Sequence, residues 1–159
     1  MPDEMGYSPM APERSSSQPR LTTLRKVELI RTLELFSQAS VDQLYSLAAI
    51  AQETGYAAGQ TIFREEDIGD AFYVLVHGKV LHASERRNIK EVLGPGDALG
   101  LYSVLTREPR YATAEALQDT FALSLGAEDF YNVLSNNMEI VVSFFKHFVK
   151  KLGMGPKES

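Results

Sequence analysis

The stretch Gly96-Asp97-Ala98-Leu99-Gly100-Leu101-Tyr102-Ser103-Val104-Leu105, followed by Glu108-Pro109-Arg110-Tyr111-Ala112-Thr113-Ala114, decides how the rest of the chain reads. A glycine-framed loop running into a short helix exposes backbone N–H groups beside a positive dipole end, which suits a single phosphate. Gly100, Leu101, Tyr102 and Ser103 supply that backbone. The Arg110 guanidinium adds charge and paired donors, and its planar fork matches two phosphate oxygens better than an ammonium does. The plain alternative is a surface Arg110 paired with a nearby acid such as Glu108.

Outward from this stretch, short β-type runs follow one another: Thr61 to Phe63, Ala71 to Val76, Lys79 to Ala83, Ile89 to Leu93, Tyr111 to Leu117 and Phe121 to Leu125. Turn chemistry separates them at His77-Gly78, Glu85 to Asn88, Gly94 to Asp97 and Gln118-Asp119. Many short strands at this spacing predict a small antiparallel barrel or jelly roll. Before it, Leu24, Val27, Ile30 and Leu33 recur every three residues and predict a helix from Leu21 to Phe36. Ser40 with Gln43 has the form of a capping box, and Leu44, Leu47, Ala48 and Ala51 carry a second helix up to Gly55. After the strands, Ala127 to Leu134 reads as helix. Asn137 to Leu152 reads as another, with Met138, Val141, Val142, Phe145, Phe148, Val149 and Leu152 along one stripe. The expected class is therefore α+β: a small barrel flanked by N-terminal helices and two C-terminal helices.

The expected organisation is a tail or linker over residues 1–20, one domain over residues 21–152 and a flexible end over residues 153–159. Pro2, Pro9, Pro12, Pro19 and Ser15-Ser16-Ser17 leave the first stretch little apolar surface to pack. At 159 residues the chain suits one core. A formal charge of −5 gives no global positive field for nucleic acid or anionic lipid. With no cysteine and only His77, His82 and His147, the parts for a metal centre or a nucleophilic triad are lacking. His77 and His82 also have opposite strand parity. No Walker-type, Gly-x-Ser-x-Gly or His-Glu-x-x-His pattern occurs, so no catalytic residue is expected. Apolar runs such as Ile140 to Phe145 fall short of the roughly 20 residues of a membrane span. A soluble cytoplasmic protein is the expectation.

With this order of elements, the chain from Leu21 to Leu152 resembles the cyclic nucleotide-binding domain family. The stretch quoted first looks like that family's phosphate-binding cassette, and Gly59, Gly69-Asp70-Ala71-Phe72-Tyr73-Val74 and Gly78-Lys79-Val80 support it. The resemblance implies a regulatory, non-catalytic module with cyclic AMP or cyclic GMP as ligand and no resident cofactor. It implies ligand contacts at Gly100, Leu101, Tyr102, Ser103, Arg110 and Tyr111. One departure stands out: the family's Glu, which accepts from the ribose 2′-hydroxyl, is replaced by Leu101. A hydrogen bond to a charged acceptor contributes roughly 1.5–3 kcal/mol, so its loss weakens binding about 10- to 150-fold. Tyr102 is bulky where the family has a small aliphatic residue, and Glu65-Glu66-Asp67 places negative charge near the mouth of the site.

The remaining features read more plainly. His77 is a turn residue before Gly78, His82 is a solvent-facing strand residue, and Arg86, Arg87 and Lys90 form a solvated hairpin. The last helix is read as core packing, with a self-association face as the alternative because Phe144, Phe145 and Phe148 cover more than one side. Only Gly153 to Ser159 follow it, so this chain alone is not expected to read DNA. Two functions stand side by side. In the first, the fold has weak or lost nucleotide binding and acts through an unknown protein partner or a homodimer on the C-terminal helix. In the second, it is a working cyclic nucleotide sensor.

Overall fold

Two layers of four-stranded antiparallel sheet form the centre of the protein, and helices close one side. The computed structural model describes residues 20–156, so the tail and the extreme C-terminus expected from the sequence lie outside the described residues except at their inner edges. The helices are α1 (Thr23–Arg31), α2 (Val41–Ile50), α3 (Leu101–Thr106), α4 (Ala127–Asn136) and α5 (Met138–Lys151). The strands are β1 (Ala51–Tyr56), β2 (Thr61–Phe63), β3 (Ala71–His77), β4 (Val80–Ser84), β5 (Ile89–Leu93), β6 (Ala98–Leu99), β7 (Thr113–Ala116) and β8 (Thr120–Gly126). One sheet runs β1-β8-β3-β6 and the other β2-β7-β4-β5. This is the jelly-roll-like α+β architecture that the strand spacing predicts.

Strand β3 reads Ala-Phe-Tyr-Val-Leu without alternation because both its faces are covered. Phe72 and Val74 face the helical core, while Ala71, Tyr73 and Leu75 face the barrel interior. β8 repeats the pattern, with Leu123 and Leu125 on the helical side and Ala122 inside. The helices are tied to the barrel by an aromatic cluster. Phe36 lies 5.5 Å from Phe144 and 6.4 Å from both Phe72 and Phe130, centroid to centroid, and Phe72 lies 5.0 Å from Phe130.

Three local readings need correction. The first helix ends at Arg31 rather than Phe36: the Thr32 hydroxyl donates to the Leu29 carbonyl at 2.6 Å, Leu33 is extended, and a 3-10 turn over Glu34–Phe36 swings Phe36 into the ring cluster. The second helix keeps its Ser40–Gln43 capping box but ends at Ile50. Ala51–Tyr56 is an edge strand paired with β8 from Ala51↔Leu125 to Tyr56↔Thr120. Its Gln-Glu-Thr-Gly content hides it, since edge position rather than β-propensity makes it a strand. The short β6, also missed, pairs with Tyr73 and Val74 and delivers the chain directly to Gly100.

The Phe36→Ala variant is expected to lose about 3–5 kcal/mol of unfolding free energy, measured by urea denaturation. The exposed Leu24→Ala change on α1 is expected to cost far less, since Leu24 keeps 57% of its surface in water.

Candidate functional site

The site is organised around Arg110, which is buried to 2% exposure in the run between α3 and β7. Its backbone is clipped on both sides to the 64–67 turn. The Arg110 N–H donates to the Asp67 carbonyl and its carbonyl accepts from the Glu66 N–H, both at 2.8 Å. Arg64 N–H closes the turn onto Asp67 Oδ2 at 3.0 Å, and Glu66 takes a positive φ of 74° to complete it. The guanidinium then reaches inward. Nη1 donates to the Gly100 carbonyl and to Ser103 Oγ, each at 2.8 Å, while Nη2 donates to the Ala71 carbonyl at 2.5 Å.

The flat face of the fork lies 4.0 Å over the Phe63 ring. Its Nε is buried without a hydrogen-bond partner. The nearest carboxylate, Asp70, stands 3.7 Å from Nη2 but is 86% exposed, so water screens most of that attraction. Burial pulls the guanidinium below its ordinary pKa, partly opposed by Tyr73 and Asp70. Burial likewise pushes the Tyr73 phenol far above its ordinary value. A buried cation held by neutral acceptors, with its Nε–H unpartnered, is chemically suited to an anion.

The glycines explain how closely the chain approaches. Gly100 has φ +82°, and a Cβ there would meet Arg110 Nη1 at 2.4 Å. A Cβ on Gly69 would meet Ser103 Oγ at 2.5 Å. The structure thus brings Gly100, Ser103 and Arg110 together. Tyr102 and Tyr111 lie beside them, their rings 5.4 Å apart and nearly perpendicular, lining a cavity of about 620 Å³ with Arg87, Ile89 and Pro109. Leu101 stands apart: it packs against the helical core and lines the groove between α3 and α5 with Leu105, His147 and Phe148.

Several expectations change here. Arg110 is not a surface residue paired with Glu108; the acid that accompanies it is Asp70. His82 does not face solvent. It is 3% exposed, with Nδ1 2.8 Å from Glu91 Oε1 and its ring packed on Phe63 and Tyr111. Its strand parity with buried Val80 and Ser84 was the readable signal. Arg86 and Arg87 are not merely solvated: they bridge to Glu65 and Glu66, with Arg87 Nη1 2.9 Å from Glu65 Oε2 and 3.2 Å from the Tyr111 carbonyl. The acids near the mouth are thereby paired. Phe63 and the Ala71 carbonyl, both essential to holding Arg110, carry no chemical signature in sequence. Among the described residues no His/Asp/Glu group is placed to hold a metal ion, and no helix is long and apolar enough to cross a membrane.

The family model for the cyclic nucleotide-binding domain matches residues 53–137. A cyclic nucleotide-gated potassium channel of Rhizobium etli is 28% identical over 135 residues, covering 85% of this chain and 38% of that protein. The cyclic AMP receptor protein of Thermus thermophilus is 32% identical over 100 residues, covering 60% of this chain and 46% of that one. The chain therefore spans less than half the length of these two relatives. Among solved structures, the N-terminal domain of a Streptomyces coelicolor transcriptional regulator superposes with a TM-score of 0.68 at 31% identity, covering 79% of this chain and 91% of that one. The regulatory domain of Toxoplasma gondii PKA with cAMP shares the fold, with a TM-score of 0.65 at 17% identity over 84% of this chain and 50% of that one.

Replacing Gly100 by Ala is expected to cost about 1–2 kcal/mol from the left-handed backbone alone and more from displacing the guanidinium. Gly96→Ala is the control: its φ is +90° but nothing lies within 4 Å of the added Cβ. Urea denaturation should rank Gly100→Ala clearly below Gly96→Ala; equal losses would mean that the approach to Arg110 carries no energy.

Proposed function

The chain belongs to the cyclic nucleotide-binding domain family, and from that premise we propose that it is a non-catalytic regulatory module with weak or lost nucleotide affinity, acting through association on α5. The observation that carries this is the outer face of that helix. Ile140, Ser143 and Phe144 are buried against the rest of the domain, whereas Met138, Val142, Phe145, Val149 and Leu152 are 40–74% exposed. These five residues follow one another in alternating steps of four and three, the spacing of a coiled-coil seam, with β-branched valine at every second position. The sequence stripe thus divides: the packed face is rotated toward Ile140 and Phe144, and the longer apolar row is left in water. Exposed apolar rows of this size mark an interaction surface. A second copy of the chain is the partner proposed, and the cytoplasm its proposed location.

The weakened affinity rests on Leu101, which carries no carboxylate and packs toward α5 instead of the cavity. A second reading, a working cyclic AMP or cyclic GMP sensor, is favoured by one specific observation. Arg110 keeps a buried, unpartnered Nε–H beside a screened carboxylate, so an anion at Gly100 to Ser103 would meet an unsatisfied donor. Two relatives, the gated channel and the receptor protein, are named for a cyclic nucleotide; here that ligand is a proposal.

Light scattering against concentration tests the first reading. The wild-type chain is expected to approach twice the monomer mass, and Phe145→Glu to remain monomeric with unchanged circular dichroism, because Phe145 is 65% exposed and contributes little to folding. A wild-type mass that stays monomeric up to millimolar protein would reject pairing on α5. Calorimetric titration with cyclic AMP and cyclic GMP tests the second, with binding expected to vanish in Arg110→Ala.

A further inference from the structure

We propose that Glu66 is a built-in inhibitory contact: its carboxylate takes the place of an outside anion on Arg86 and Arg87 and so lowers the affinity of the domain for anionic ligands. This rests on the reading of Arg110 as the anion site, and it names what holds that site in check.

The backbone gives the first observation. Glu66 has φ 74°, a left-handed conformation that glycine adopts freely and a residue with a Cβ only under strain. The turn needs that conformation but not the carboxylate. Its hydrogen bonds run from the Glu66 N–H to the Arg110 carbonyl, from the Arg110 N–H to the Asp67 carbonyl and from the Arg64 N–H to Asp67 Oδ2. The Glu66 side chain serves none of them and reaches across to the hairpin between β4 and β5 instead. A strained residue kept where glycine would fit points to work done by its side chain.

Charge gives the second. Arg86 Nη2 contacts Glu66 and, at 3.3 Å, Glu65; Arg87 Nη1 lies 2.9 Å from Glu65, 3.4 Å from Glu66 and 3.2 Å from the Tyr111 carbonyl. The hairpin tip is fixed for this by the Arg87 N–H donating to Ser84 Oγ at 3.1 Å and by Asn88 at φ 53°. Two carboxylates and two guanidiniums make a neutral clasp. Glu66 and Arg87 both line the cavity beside Tyr102 and Tyr111, and among the described residues of that lining Arg87 is the one base. The two acids differ in how they are held. Glu65 has 21% of its side chain exposed and its N–H donates to Thr113 Oγ1 at 3.0 Å, whereas the Glu66 side chain is 56% exposed. Glu65 is therefore the fixed half of the clasp and Glu66 the half that can be displaced. Without Glu66 one carboxylate is left for two guanidiniums, and the rim of the cavity gains a net positive charge that attracts an anion toward the Arg110 site.

The test is calorimetric titration of the full chain with cyclic AMP and with inorganic phosphate. Glu66→Gly and Glu66→Gln should each raise affinity for both probes about two- to fivefold. The gain should shrink between about 0.1 M and 1 M salt, as the screening length falls from about 10 Å to 3 Å. Glu66→Gly should also raise the urea midpoint, because glycine accepts the positive φ, and Glu66→Gln should not, which separates strain from charge. Adding Arg87→Ala to Glu66→Gly should cancel the gain. Glu85→Gln is the control, since Glu85 is an exposed acid of the same hairpin outside the clasp; an equal gain there would mean that bulk charge acts and would overturn the proposal. Affinity unchanged in both Glu66 variants but lost in Arg110→Ala would overturn the inhibitory contact and leave the anion site standing. A gain in Glu66→Gly that survives Arg110→Ala would keep the inhibitory contact and reject Arg110 as the anion's partner. No heat from either probe in any variant at millimolar concentration would overturn both.

Discussion

One buried guanidinium constrains most of what surrounds it. Arg110 is the largest fully buried side chain of the domain, and removing its charge from water is tolerable only because its fork is matched by three neutral acceptors from two separate segments. The Ala71 carbonyl comes from the start of β3, and the Gly100 carbonyl and Ser103 Oγ from the N-cap and first turn of α3. Any segment that moved would strand a buried donor, which costs more than a typical hydrogen bond contributes. Gly69 and Gly100, where an added Cβ would strike Ser103 and Arg110, mark where the chain closes over this knot. Phe63 and the 64–67 turn brace it from the second sheet, so one residue joins both sheets and the cassette helix.

Helix α3 also links this knot to the helical layer. Its Ser103 side belongs to the guanidinium, its Tyr102 side to the cavity, and its Leu101, Val104 and Leu105 side to the helices. The Tyr131 hydroxyl of α4 donates to the Val104 carbonyl, and Arg107, held at φ +61°, lies 4.2 Å over the Tyr131 ring. Displacing Ser103 would therefore displace Leu101 and Leu105 against His147 and Phe148 of α5. The Arg110 guanidinium and the His147 and Phe148 edge of α5 thus lie on opposite sides of one six-residue helix.

How far the sequence could be read follows from which signals are local. Strands β3, β4, β5 and β8 were legible because their apolar runs are bounded by glycine and turn residues, and the capping box at Ser40 is a short-range hydrogen-bond pattern. β1 and β6 were not, because pairing partners far along the chain make them strands. In the site, Gly100, Ser103 and Arg110 were legible as residues that belong together, since loop glycines and an arginine carry their chemistry in their types. The roles of Phe63, Asp70 and the Ala71 carbonyl depend on a tertiary approach that spacing does not encode. His82 shows a different failure: an ionisable residue defaults to solvent, and here strand parity with Val80 and Ser84 overrules that default. Arg86 and Arg87 fail for the same reason as β1, their acids lying more than twenty positions upstream in Glu65 and close to it in Glu66.

The departure at Leu101 changes what kind of contact the site can offer more than how much. A carboxylate reading a ribose hydroxyl contributes roughly 1.5–3 kcal/mol through one directional bond. Base stacking on an aromatic ring contributes roughly 1–3 kcal/mol through contact area. The two are alike in size but differ in what they discriminate: the first separates ligands by a single hydroxyl, the second by the extent of the ring. Leu101 turns toward α5, while Tyr102 stands exposed beside Tyr111, so at these two positions the chain presents ring surface and no carboxylate. A carboxylate at position 101 would meet the apolar groove formed with Leu105 and Phe148 and be buried there at a cost, so the leucine suits the helical packing that α3 makes.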